Sequence, residues 1–352
     1  MTPTGLSSRP SMTTATVPLT RTRPSTTLTF ARAMAALGVV VVAYEAVTWG
    51  RWLAAGPEQI TQYRDTAATS WTVARGYEIL IVAVSVWLLV RVVRQCRDQR
   101  RLTLDAQLLI GGVAALFWDP FGNFVQPAFF YSSNWLNLNS WTGFAPLVVN
   151  PDASRMPEPL FIMLVYPFGL LAFAMMSNAV MRAARRRFPH WSDARVLAAG
   201  SVAALVGGMA LEAPMFLLHL WSLPGAPREL SLFDDVHRYA AVEYLTTGMV
   251  FAGWAAVRYF RDDQGRAFTE RGLGQTGSVF AIVGWRCALL LVLQLIVNLF
   301  AFKAAPYPTE FPRHLVNGMC DVGQTAGTRY GPCPGSPGFR MPVSLPGPAP
   351  FS

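Results

Sequence analysis

VLAAGSVAALVGGMALEAPMFLLHLW, residues 196–221, holds one formal charge, Glu212, in 26 residues. As a helix rising about 1.5 Å per residue it reaches roughly 39 Å, more than the roughly 30 Å hydrocarbon layer of a bilayer. Six further stretches of this kind stand at about 30–50, 73–93, 104–128, 159–181, 239–260 and 278–302. Each is expected to be a helix, because a lone strand in lipid leaves its backbone groups unpaired. The pattern predicts an all-α fold, a polytopic transmembrane bundle of about seven helices in the cell membrane, over residues 30–303. A Ser/Thr/Pro/Arg-rich tail, 1–29, precedes it and a Pro/Gly-rich tail, 304–352, follows. Residues 1–29 have no apolar run, so the first helix is expected to stay in the membrane and not to be cleaved as a signal peptide.

The composition agrees. Of the 352 residues, 52% are hydrophobic and 14% charged, which is no soluble composition,. A net charge of +9 invites a nucleic-acid partner. The arginines, however, fall in short runs between apolar stretches, where orientation in the bilayer explains them, so no nucleic acid is expected. Those runs are the N-terminal tail (Arg9, Arg21, Arg23, Arg32) and the even-numbered connections RVVRQCRDQRR, RAARRRF and RYFRDDQGR. By the positive-inside rule the N-terminus is in the cytoplasm and the C-terminus outside.

The four cysteines, Cys96, Cys287, Cys320 and Cys333, lack CxxC spacing, and the four histidines form no paired motif, so no metal site is expected,. A Cys320–Cys333 disulfide is an option in an external tail. The loop 129–158, FFYSSNWLNLNSWTGFAPLVVNPD at its centre, interleaves aromatics with asparagine. It reads either as an aromatic belt at the headgroup level or as a lid over a cavity.

Five acids lie inside apolar stretches: Glu45, Glu78, Asp119, Glu212 and Glu243. An ionised side chain there costs about 2.5–3.5 kcal/mol on insertion scales. With the orientation above, all five come in the outer half of five different helices, which suggests one shared cavity. Asp119, Asn123 and Gln126 share a helical face, Glu212 and His219 another, and Glu243 has Tyr239 and Thr247 four residues to either side. Structural readings stand beside this one. Glu78 follows Arg75 by three residues, as in an interfacial ion pair, and Asp119 precedes Pro120, as in a cap for a restarted helix. Arg286 reads as a snorkelling or structural residue, and LFDDVHR, with Asp234, Asp235 and His237, as a solvated loop. Carboxyls crowded in low dielectric cannot all ionise together, so one site can hold a proton donor beside an anion. That suits dehydration and cyclisation through an oxocarbenium ion, and it suits proton-coupled transport equally.

The segments FARAMAALGVVVVAYEAVTWGRW (30–52), ALFWDPFGNFVQPAFFYSSNWLNLNSWTGFAP (115–146) and LVGGMALEAPMFLLHLW (205–221) resemble the AveC-type spirocyclases of avermectin and milbemycin biosynthesis in actinobacteria. The resemblance extends over most of residues 30–305. It implies an antibiotic-tailoring enzyme that closes a dihydroxyketone in a hydrophobic macrolactone polyketide into a spiroketal with loss of water, and that in some members dehydrates the ring as well. No cofactor is implied. On the carboxylate argument the catalytic candidates are Asp119 and Glu212, as acid and stabilising carboxylate in either order, then Glu243 and Glu45. The substrate-binding candidates are Asn123, Tyr131, Trp135, Asn137, Trp141 and His219. The competing readings are a proton-coupled exporter or binding protein for a hydrophobic polyketide, and a membrane scaffold.

Overall fold

The structure, a computed structural model, describes residues 29–60, 67–123, 129–147, 157–223, 226, 228–233, 237–301 and 315, without the side chains of 123, 242 and 293–301. The tails apart from Thr29 and Leu315, together with Gln126, Asp234, Asp235, Cys320 and Cys333, lie outside the described residues, as does the side chain of Asn123.

The described chain is mostly helical. Its helices of 13 residues or more are α1 (Phe30–Ala55), α2 (Ala68–Gln99), α3 (Leu104–Leu116), α4 (Leu160–Arg187), α5 (Asp193–Leu217), α6 (Ala241–Tyr259) and α7 (Gln275–Ala301). Five of these seven, all but α3 and α6, are long and apolar enough to cross a membrane. Their outward faces are apolar too: Val40 is 67% and Ile79 71% exposed. Side-chain caps set several starts, since Thr29, Thr103 and Ser192 each accept a hydrogen bond from a backbone N–H three residues on,.

Glycines decide how closely the helices approach. Gly38 of α1 and Gly284 of α7 face each other so tightly that a Cβ on Gly38 would lie 1.9 Å from the Phe280 carbonyl oxygen, and one on Gly284 2.0 Å from that of Met34. Small residues at such a crossing let two backbones meet. The short α3 is the centre of the bundle: Gly111 abuts Ile282 and Arg286 of α7, and Gly112 abuts Tyr166 and Pro167 of α4 and Trp254 of α6. At its N-terminal end Asp105 accepts from Nε and Nη2 of Arg258 at 2.8 and 3.1 Å, while Asn178 accepts from Nη1 at 3.0 Å, tying α3, α6 and α4 together,. Arg286 is buried with its guanidinium over the Trp254 ring, inside the bundle and not at an interface.

The third apolar stretch is helical over less than its expected length. Pro120 has no N–H, and its ring would clash with the carbonyl four residues back, which is that of Leu116. The helix stops there, the Leu116 carbonyl accepts instead from Asp119 N at 3.0 Å, and a single 3₁₀ turn, Pro120–Asn123, follows. Helix α4 carries a wide π turn at Val165–Gly169, around Pro167,.

Over the end of the bundle where α3 stops, short strands form a cap. β1 (Phe130–Tyr131) pairs antiparallel with β4 (Trp221–Ser222), β2 (Asn137–Asn139) with β3 (Pro157–Pro159), and β5 (Ser231–Leu232) with β6 (Tyr239–Ala240). The described parts of the 129–158 loop, 129–147 and 157–158, fold over this end of the bundle. Trp135 and Trp141 are 2% and 1% exposed, and their indole N–H groups donate to the carbonyls of Leu220 and Phe117, each at 2.8 Å.

Candidate functional site

Below the cap, where α3 ends, is a cavity of about 130 Å³. That is below the ~300–1,000 Å³ of pockets that take up a drug-sized ligand whole, so it has room for the reacting part of a large molecule only. Three carboxyls reach its wall, Asp119, Glu212 and Glu243, with Tyr131, Tyr166, Thr246 and Thr247 as further polar groups. The remaining wall is apolar, including Ile162, Leu170, Val250, Phe251 and Leu290, and no arginine, lysine or histidine lines it among the described residues. Carboxyls sharing so small a space without a cation cannot all be ionised cheaply.

Each acid is held by hydroxyls. The turn that Pro120 forces brings Asp119 off the helix axis, where Tyr131 donates to Oδ2 at 2.9 Å and Tyr166 to Oδ1 at 2.7 Å. The carboxyl therefore binds the two tyrosines and does not cap a restarted helix through its side chain. Tyr131 is delivered by β1 and braced on Trp221 of the paired strand, with ring centroids 5.4 Å apart. Glu212, two residues before Pro214 in α5, accepts from Tyr239 at 2.6 Å on Oε2. Tyr239 is fully buried and stacks on Phe216 at 4.6 Å. Glu243, in the first turn of α6, accepts from Thr247 at 3.4 Å.

The structure thus gathers Asp119, Glu212, Glu243 and Tyr131 of the sequence-derived site in one cavity. Glu45 is off its wall, accepting from Trp118 Nε1 at 3.1 Å and contacting Cys287 at 3.8 Å. Glu78 is held by Arg75 at 2.9 Å and by the backbone N–H of Leu136 at 2.7 Å, the ion-pair reading of that residue. Trp135, Asn137 and Trp141 belong to the cap, Asn137 donating to the Ser132 carbonyl at 3.0 Å. His219 leaves α5 in a left-handed conformation and stacks on His237 at 3.9 Å. Among the described residues no group of three or more His, Cys, Asp or Glu side chains is placed to hold a metal ion.

Two residues of this neighbourhood are new relative to the sequence reading. Tyr166 lies in an apolar stretch, and its one signal was the following Pro167, which breaks regular helix geometry. Glu158, between Pro157 and Pro159 of β3, is fully buried and accepts no hydrogen bond among the described residues.

A family model described as spirocyclase AveC-like matches residues 99–313, more than half of the chain. The matched segment contains every residue of the cavity wall and leaves out Glu45 and Glu78. Comparisons with curated proteins and with solved structures find no match.

Proposed function

Because the chain belongs to the AveC-like spirocyclase family, we propose that it is a multi-pass protein of the cell membrane, N-terminus inside and C-terminus outside, that closes a dihydroxyketone macrolactone into a spiroketal. The observation that carries this reading is the cavity, apolar over most of its wall, with three carboxyls converging at the end where α3 stops.

The first hydroxyl adds to the ketone and gives a hemiketal. A carboxylic acid protonates the hemiketal hydroxyl, the C–O bond breaks, water leaves, and an oxocarbenium ion remains beside a carboxylate. The second hydroxyl attacks that ion from the face the cavity leaves open, and its proton passes to a carboxylate. Hydrogen bonding suggests who does what. Both oxygens of Asp119 accept a tyrosine hydroxyl, which matches an acceptor-only carboxylate and so the cation-stabilising role,. Glu212 accepts a side-chain hydrogen bond on Oε2 from Tyr239, which suits the acid, and Glu243 is the base or its partner. The same acids would serve a subsequent dehydration of the spiroketal ring. Every step exchanges protons and water only, so the scheme calls on no cofactor.

Membranes carrying the protein, incubated with a dihydroxyketone macrolide, are expected to yield one spiroketal stereoisomer by loss of one water, faster than control membranes. Chromatography with mass spectrometry reads the result, and a second water lost would reveal dehydratase activity. Products matching the control in rate and isomer ratio would end the catalytic reading and favour export or binding of the polyketide. A finer test is Tyr239→Phe, which removes one hydrogen bond to Glu212. The initial rate should fall a few-fold, corresponding to about 0.5–1.5 kcal/mol; an unchanged rate would take Tyr239 out of the site.

A further inference from the structure

Glu158 is absent from the cavity wall, yet it is the one acid among the described residues with both carboxyl oxygens buried and without a hydrogen-bond partner among those residues. An ionised carboxylate in that setting is far costlier than a neutral acid. Strand β3, which carries it, packs beside β1, which carries Tyr131. The groups that face Glu158 electrostatically are Asp119 from the turn after α3, Tyr131 from β1 and Tyr166 from α4, and Asp119 in turn faces Glu243 of α6. No cation is among them. Burial and the charge of Asp119 together push the Glu158 carboxyl well above the usual carboxylate range,.

We propose that Glu158 and Asp119 hold one proton between them, carried by Glu158, so that Asp119 alone presents negative charge to the cavity. The inference rests on the spirocyclase reading for its purpose, though not for its test. Tyrosine hydroxyls satisfy both oxygens of Asp119, and neither oxygen of Glu158 is satisfied, so the charge settles on Asp119 and the proton behind it. Glu158 acts through Asp119 and is a positioning residue. It fixes the charge at the face where the oxocarbenium forms, and it does not touch substrate. During turnover the pair keeps its one proton and its one negative charge, while the proton of the attacking hydroxyl passes to Glu243 or back to Glu212.

Infrared spectroscopy of the purified full-length protein tests this without reference to activity. A protonated-carboxyl band present in the wild type should be lost in Glu158→Gln. In Asp119→Asn, with the neighbouring charge gone, the same band should vanish on raising the pH at a midpoint at least about one pH unit lower than in the wild type, the mark of strongly interacting sites. The alkaline limb of the turnover profile should also move in Glu158→Gln. If no band is lost in Glu158→Gln, or if the band titrates at the same pH in wild type and Asp119→Asn, the pair does not exist. Should Glu158→Gln fail to fold, the comparison of wild type with Asp119→Asn still decides. Expected band behaviour in membranes that convert no macrolide would retain the pair and remove the spirocyclase reading; a working cyclase whose bands are uncoupled would do the reverse.

Discussion

Asp119→Asn is expected to lower spiroketal formation by about 10²–10⁴-fold, the usual contribution of one acid or base group, or about 2.7–5.5 kcal/mol of barrier. The substitution keeps the shape of the side chain and removes its charge. The Tyr131 and Tyr166 hydroxyls, which now donate to two carboxylate oxygens, would meet one amide oxygen and one NH₂ donor, so a tyrosine must turn and the cation loses its counter-charge. Glu212→Gln should cost as much by removing the proton donor. Neither change opens a hole in the core, so both variants should reach the membrane in wild-type amounts. Initial rates on membranes matched for protein content provide the measurement. Near-normal turnover by both variants would eliminate the cavity as the site.

A leucine at Gly38 or Gly284 should have the second large effect, on the fold and not on the chemistry. Even a Cβ would stand about 2 Å from the carbonyl oxygen of the opposite helix, 1.9 Å at Gly38 and 2.0 Å at Gly284. The obstacle is backbone, which cannot rotate aside, so α1 and α7 must separate along their contact. Ordinary overpacking costs about 1–3 kcal/mol, and forcing two backbones apart belongs at or above the top of that range. Thermal unfolding in detergent, followed by size-exclusion chromatography, should show either variant largely aggregated. Gly50→Ala in the same α1 is the control, since its Cβ would meet nothing within 4 Å, and it should match wild type. Leucine variants as stable as the control would mean that this crossing is looser than the structure has it.

Much of the helical framework can be read from hydropathy, because every apolar stretch of sufficient length that the structure describes is in fact helical over most of its extent. The end of α3 is different. Leu116, Phe117 and the residues after them are as apolar as a helix requires, and hydropathy does not separate a helix from a buried turn. The decisive signal was Pro120, whose clash with Leu116 fixes the end. For the acids, presence in an apolar stretch was legible and direction around the helix was not. Glu45 and Glu78 bond to Trp118 and Arg75 and do not line the cavity. Partners of two of the three convergent acids come from far away in sequence: Tyr166 is 47 residues from Asp119, and Tyr239 is 27 from Glu212. A tyrosine in an apolar run looks like packing until its hydroxyl is seen. The cap shows the converse, since Trp135 and Trp141 look like groups offered to a ligand until their indole N–H groups are found on backbone carbonyls.

A helix that stops inside a bundle also ends its dipole there. The peptide units of α3 add up to roughly half a negative charge at its C-terminal end, and that end is at Leu116, three residues before Asp119. Positive charge developing in a substrate beside it would gain about 0.3–1 kcal/mol, and up to ~2 kcal/mol where water is scarce. The backbone supplies this field, so side-chain substitution does not abolish it. A variant stripped of all three cavity carboxyls should therefore keep a small acceleration over the uncatalysed cyclisation, a remnant owed to where a proline ended a helix.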